Sequence, residues 1–200
     1  MRDSIIIVSF FILGLMVSFY QFIPQVFIDN DISVYVLYVL MFIVGVGIGG
    51  DKQALDALRN INFKIILVPL TVVIGSLGAA AIFAFFVSDL SIKEAMAVGA
   101  GFGYYSLSSI IIGEMHSSTL GTMALVANVI REVITLLFAP VLAWAFGKLA
   151  PVVSGGATAM DSTLPIIIKV SGNEYGLIAI FSGVVLTVLV PFLVTFILSF

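Results

Sequence analysis

Apolar residues in this chain come in long unbroken runs. They show neither the alternation of a half-buried strand nor the single stripe of a surface helix. A run of about 20 apolar residues is what an α-helix needs to cross the hydrocarbon core of a bilayer. Seven such segments occur, at 5–23, 33–50, 64–87, 93–114, 119–147, 152–170 and 176–199. The pattern predicts an all-α, polytopic membrane protein forming one transmembrane domain over residues 1–200. Only Arg2 precedes the first run, Asp3 follows it at once, and no small-x-small cleavage site appears near Gln21, so this run reads as a retained span.

The polar connections orient the spans. "PQVFIDND" (24–31) is acidic, whereas "DKQALDALRNINFK" (51–64) carries Lys52, Arg59 and Lys64. Basic connections stay on the cytoplasmic side, which predicts a cytoplasmic 51–64, with 24–31 and "VSDLSIK" (87–93) outside. With Leu55, Leu58 and Ile61 on one side, 51–64 also reads as a short amphipathic helix on the membrane surface. Segment 152–170 has two readings: a full crossing, with Lys169 inside and Phe200 outside, or a dip that returns and leaves the C-terminus inside.

Three places interrupt the apolar runs. "VGAGFGYYSLSS" (98–109) combines Gly99, Gly101 and Gly103 with Tyr105, Ser106 and Ser108. Each glycine weakens a helix by about 1 kcal/mol relative to alanine, so a break lined by hydroxyls is expected. Close helix packing through Gly99-xxx-Gly103 is the structural alternative. "NVIREVIT" (128–135) spaces Asn128, Arg131, Glu132 and Thr135 at i, i+3, i+4 and i+7, on one helix face near the middle of a long run. A charge at that depth costs about 2.5–3.5 kcal/mol on insertion scales, so this face meets protein or water. It either lines a polar cavity or holds an ion pair, with Glu132 or Asp161 as the partner of Arg131.

The third interruption is "SGGATAMDSTLP" (154–165). Irregular backbone survives inside a bilayer only where it is buried in protein or lines an aqueous cavity. A broken helix there exposes N–H groups at one half and C=O groups at the other, and these ends suit anionic and cationic groups respectively. Asp161 adds a fixed negative charge, and Thr158 and Thr163 add hydroxyls. An intramembrane carboxylate is a functional residue by default. Elsewhere, Glu114 and His116 read as a solvated cap at a span end, and Trp144 as an interfacial anchor.

Composition narrows the function. The chain is 62% hydrophobic and 10% charged, with a net charge of −3, no cysteine and one histidine. This predicts no thiolate or histidine metal centre, no cofactor and no nucleic-acid partner. An enzyme is not expected: an intramembrane aspartyl protease needs two membrane aspartates, a serine protease a base at depth, and a zinc protease a His-Glu-x-x-His motif. Two interrupted helices and a polar stripe on a third are what a secondary transporter presents. The alternative is an ion or proton channel, or an exporter of another small solute, although the repeated filter residues of a channel are not apparent.

"GAGFGYYSLSSIIIGE", "REVITLLFAP" and above all "GGATAMDSTLPIIIK" resemble the bacterial lysine exporter family LysO. The resemblance runs through most of the chain and is densest between 95 and 170. It implies a multi-pass protein of the bacterial or archaeal cytoplasmic membrane that exports L-lysine and lysine analogues; proton-coupled antiport is the expected mode. The family's motif aspartate falls on Asp161. Asn128 departs from the pattern, since the family often has an acidic residue three positions before the arginine. The chain resembles only the later portion of single-chain members. That implies a partner, either a separately encoded small membrane subunit or a second copy, with Gly45-xxx-Gly49 as a seat for close helix contact.

Overall fold

The computed structural model describes residues 63–87 and 89–200, with isolated positions before them. The expected spans 5–23 and 33–50, the acidic connection 24–31, Gly45-xxx-Gly49 and all but the last two residues of 51–64 lie outside this continuous described part. Within it the chain is helical, in the order α1 (Phe63–Ala84), α2 (Ile92–Gly99), α3 (Tyr105–Met115), α4 (Ser118–Phe146), α5 (Ala150–Gly155), a 3-10 turn (Gly156–Met160), α6 (Leu164–Ser171) and α7 (Asn173–Ser199). No strand occurs among the described residues.

Two classes of helix result. α1, α4 and α7 contain windows of 20, 29 and 27 residues long and apolar enough to cross a membrane. The others have 8, 11, 6 and 8 residues. At 1.5 Å per residue even the longest of these rises only about 16 Å, half of a hydrocarbon core.

The short helices pair into two hairpins. At the base of the first, Glu94 Oε1 lies 3.2 Å from His116 Nε2, which brings the start of α2 to the end of α3. The same Glu94 closes a capping box with Ser91, so α2 begins at a fixed point. Segment 93–114 was expected to cross; it turns at 100–104 and comes back to the end from which it started. Glu114 and His116 are exposed, as in a solvated cap, and the His116 ring also reaches Glu94. Hydropathy alone does not separate the two paths, because it reports apolar length and not direction.

The second hairpin, α5–turn–α6, points the opposite way. Lys148 at its start lies 5.9 Å from the Tyr175 ring centroid just beyond its end. Its two arms pack together, with Val152 and Ile167 in one buried cluster that also takes in Val68 of α1 and Ala179 of α7. Of the two readings open for 152–170, the returning one is found. Because the first hairpin returns as well, α1, α4 and α7 alternate in direction around the pair, and the chain ends on the side opposite to that expected for a returning 152–170. α7 is the central post, contacting α1, α2, α3, α5, α6 and the 3-10 turn. Its Leu186, Val190 and Val194 join Phe102, Leu107, Ile111 and Ile112 in the main core.

Candidate functional site

The two hairpin tips meet inside the bundle. The Ala157 N–H donates to the Phe102 carbonyl over 2.8 Å, a backbone bond between the tips. Phe102 is fully buried and has φ 47°, unusual for a side-chain-bearing residue. Gly156 opposite it has φ 63°, and a Cβ there would collide with the Phe102 carbonyl oxygen. Glycine is therefore required at 156 by both space and backbone conformation.

α4 runs beside both tips and holds each with one side chain. Asn128 Oδ1 accepts the Gly103 N–H at 2.7 Å, while Nδ2 donates to the Ala124 and Val98 carbonyls at 2.8 and 3.3 Å. Three residues further along, Arg131 Nε donates to the Ser154 carbonyl (2.8 Å), Nη2 to the Val153 carbonyl (3.0 Å) and Nη1 to Ser76 Oγ (2.8 Å).

The carbonyls of the last turn of α5 lack intrahelical partners, and all four are accounted for. Val152 O accepts from the Gly156 N–H, Val153 O and Ser154 O from Arg131, and Gly155 O from Thr158 Oγ1 at 2.9 Å. A cation at a helix C-terminus is favourable twice over, through these bonds and through the helix dipole. Of the two alternatives for this face, the ion pair of Arg131 with Glu132 or Asp161 gives way to a helix cap: among the described residues its hydrogen-bond partners are neutral oxygens.

The other residues singled out in the sequence fall around these tips. Thr135 bonds Arg131 O and Ser154 Oγ at 2.9 and 2.7 Å. Thr158 and Thr163, both buried, approach to 3.4 Å between hydroxyl oxygens inside the second tip. Ser108 is buried and donates to Tyr104 O at 2.9 Å, Tyr105 is buried beside it, and Ser106 is half-buried. Glu132 is 2% exposed.

Asp161 differs from all of these. It is exposed at the second tip, accepts the Ser162 N–H, and lies within electrostatic range of Glu132 and Tyr104. Asn128 and Arg131 line a cavity of about 910 Å³ between α1, α2, α4 and α5, but Asp161 does not. The sequence reasoning missed Ser76, which faces Arg131 from α1. Its only signal was a serine among the small residues of "IGSLGAAA".

These motifs coincide with a family-wide match. Residues 8–198 match the family described as lysine exporter LysO. The chain belongs to the lysine exporter LysO family. The lysine exporter LysO of Escherichia coli K12 is 34% identical over 167 residues, which make up 84% of this chain and 55% of that protein. The chain therefore spans about half the length of that relative. A protein named putative lysine exporter from Haemophilus influenzae is 34% identical over 171 residues, 86% of this chain and 86% of its own length. No solved structure matches this LysO-family chain. The third resemblance motif, with Asp161, forms the second tip of the fold, and the first forms the tip it bonds to.

Proposed function

We propose that this chain carries part of the translocation path of an exporter of L-lysine and lysine analogues, and that Asp161 receives the cationic side chain or the coupled proton. The observation that carries this reading is the bond between the Phe102 carbonyl and the Ala157 N–H, at the junction of two hairpins pointing from opposite ends of the molecule. In a membrane the two hairpins are the halves of discontinuous helices, and their junction is where a solute can be handed from one face to the other. A carboxylate on an exposed tip suits an ammonium group or a proton.

The charge distribution supports an orientation. Lys148 and Lys169 flank the second hairpin, at the end where α1 begins and the basic connection 51–64 leads in. Basic residues favour the cytoplasm, so the second hairpin dips from inside and the first from outside, and Phe200 ends outside. Proton-coupled antiport fits an exporter working against a gradient with an ionisable group on its path. The E. coli relative is the longer protein, and the partner proposed for this chain is a small separately encoded membrane subunit or a second copy.

The test uses a lysine-sensitive, export-deficient cell expressing this chain, with and without any small membrane protein encoded beside it. Asp161→Asn is expected to insert normally and abolish lysine resistance, since the amide keeps the shape but not the charge. Normal efflux from that variant would remove Asp161 from the path. Resistance to another solute with none to lysine would favour the alternative reading, an exporter of a different small molecule.

A further inference from the structure

Arg131 is a cation within the bundle whose three hydrogen bonds, to Ser154 O, Val153 O and Ser76 Oγ, all go to neutral acceptors. A guanidinium has five N–H donors, so among the described residues one remains on Nη1 and one on Nη2. Arg131 also lines the cavity of about 910 Å³ between α1, α2, α4 and α5. A charge away from water is stable when an opposite charge and further hydrogen bonds complete it. Those bonds hold the guanidinium in place without neutralising it, and the cavity has room for an anion beside it.

We infer that this cavity is a carboxylate subsite, in which the two remaining Arg131 donors take the α-carboxylate of an amino acid. Planar, bidentate recognition of carboxylate is what a fixed guanidinium does best. The cavity is also polarised. Asp89, in the 85–91 connection, is a second charged residue of the lining, while Asn128, near Arg131, already uses both amide donors and its oxygen within the protein. A ligand with an anionic and a cationic end matches that polarity, which is the chemistry of a basic amino acid. The lining otherwise consists mainly of small and apolar residues such as Gly75, Ala79 and Ala127, which leave the space open. The inference deepens the lysine reading and rests on it for the identity of the ligand. It separates the role of Arg131 from that of Asp161, which lies outside this cavity.

The chain contains no cysteine, so a single reporter thiol can be placed in the cavity. Ala79 is exposed and lines it. The Ala79→Cys protein, reconstituted in bilayers of zwitterionic lipid, is labelled with a methanethiosulfonate in the presence of L-lysine, lysinamide or cadaverine. L-lysine is expected to slow labelling. The two analogues lack the carboxylate and should need about tenfold higher concentration or more for the same protection, the ratio expected for losing a hydrogen bond between charged groups.

Adding Arg131→Gln should remove the difference between lysine and lysinamide. The ligand comparison is made with Arg131 in place, so it stands even if that variant folds poorly. Equal protection by lysine and lysinamide overturns the subsite and leaves the lysine reading intact. Protection by a different amino acid but not by its amide supports the subsite and overturns the lysine reading. Protection by none of these ligands, or only by added anionic lipid, overturns the subsite.

Discussion

Replacing Gly156 with alanine strikes the junction of the two tips, with Arg131 Nη2 the next group crowded, 3.2 Å from the added Cβ. A Cβ at this position would occupy the place of the Phe102 carbonyl oxygen, and φ is 63°. Holding an L residue in such a backbone conformation costs about 1–3 kcal/mol. Moving the carbonyl aside forfeits the bond from the Ala157 N–H, a net loss of about 0.5–1.5 kcal/mol. Together the costs reach about 1.5–4.5 kcal/mol, or a melting temperature lowered by roughly 3–18 °C for a chain of this size. Gly147 is the matched control: φ is 89°, but no atom lies within 4 Å of where its Cβ would stand. Gly147→Ala should show only the conformational cost. The assay is thermal unfolding of both purified variants in the same detergent, followed by lysine efflux from cells. Equal melting temperatures for the two variants, or wild-type efflux from Gly156→Ala, would refute the claim that the tip-to-tip contact holds the site together.

Other perturbations separate the cap from the path. Arg131→Met deprives the Val153 and Ser154 carbonyls of their donors, at about 1–3 kcal/mol each; its steady-state level in the membrane should fall several-fold, and wild-type levels would contradict the capping role. Asn128→Ala leaves the Gly103 N–H unsatisfied and should lower stability by about 1–3 kcal/mol in thermal unfolding, whereas an unchanged melting temperature would show that the tip is held by other contacts. Ser108→Ala removes one neutral bond to Tyr104 O and should weaken efflux far less than Asp161→Asn; an equal loss would invert that ranking. Glu94→Gln alters a partly exposed contact with His116 and should cost no more than about 1 kcal/mol in unfolding.

The long helices were legible because length and apolarity are properties of the sequence itself. The described spans begin and end within three residues of the expected bounds, as with α4 at Ser118–Phe146 against 119–147. The interruptions were legible too, since Gly101, Gly103, Gly155 and Gly156 mark backbone that a helix interior does not favour. So was the shared face of Asn128, Arg131 and Thr135, from the helical period alone.

Two things were hidden. The return of the first hairpin depends on Glu94 meeting His116 across 22 residues, and no local pattern encodes that pairing. The partners of Arg131 include two backbone carbonyls, groups that every residue carries. A search for complementary side chains therefore pointed to carboxylates instead. The sequence marked Arg131 as a residue that needed satisfying, but only the fold identified what satisfies it.

The proposed path needs two hairpins that dip from opposite faces, and side-specific labelling of single cysteines tests that most directly. In this cysteine-free chain, Ser91→Cys and Ser117→Cys mark the two ends of the first hairpin, and Lys148→Cys and Asn173→Cys those of the second. Each is expressed in cells and treated with a membrane-impermeant thiol reagent before and after permeabilisation. Positions 91 and 117 should both label in intact cells, and positions 148 and 173 only after permeabilisation. If Ser91→Cys and Ser117→Cys label from opposite sides, the first hairpin crosses the membrane, and the meeting of tips proposed as the lysine path is wrong.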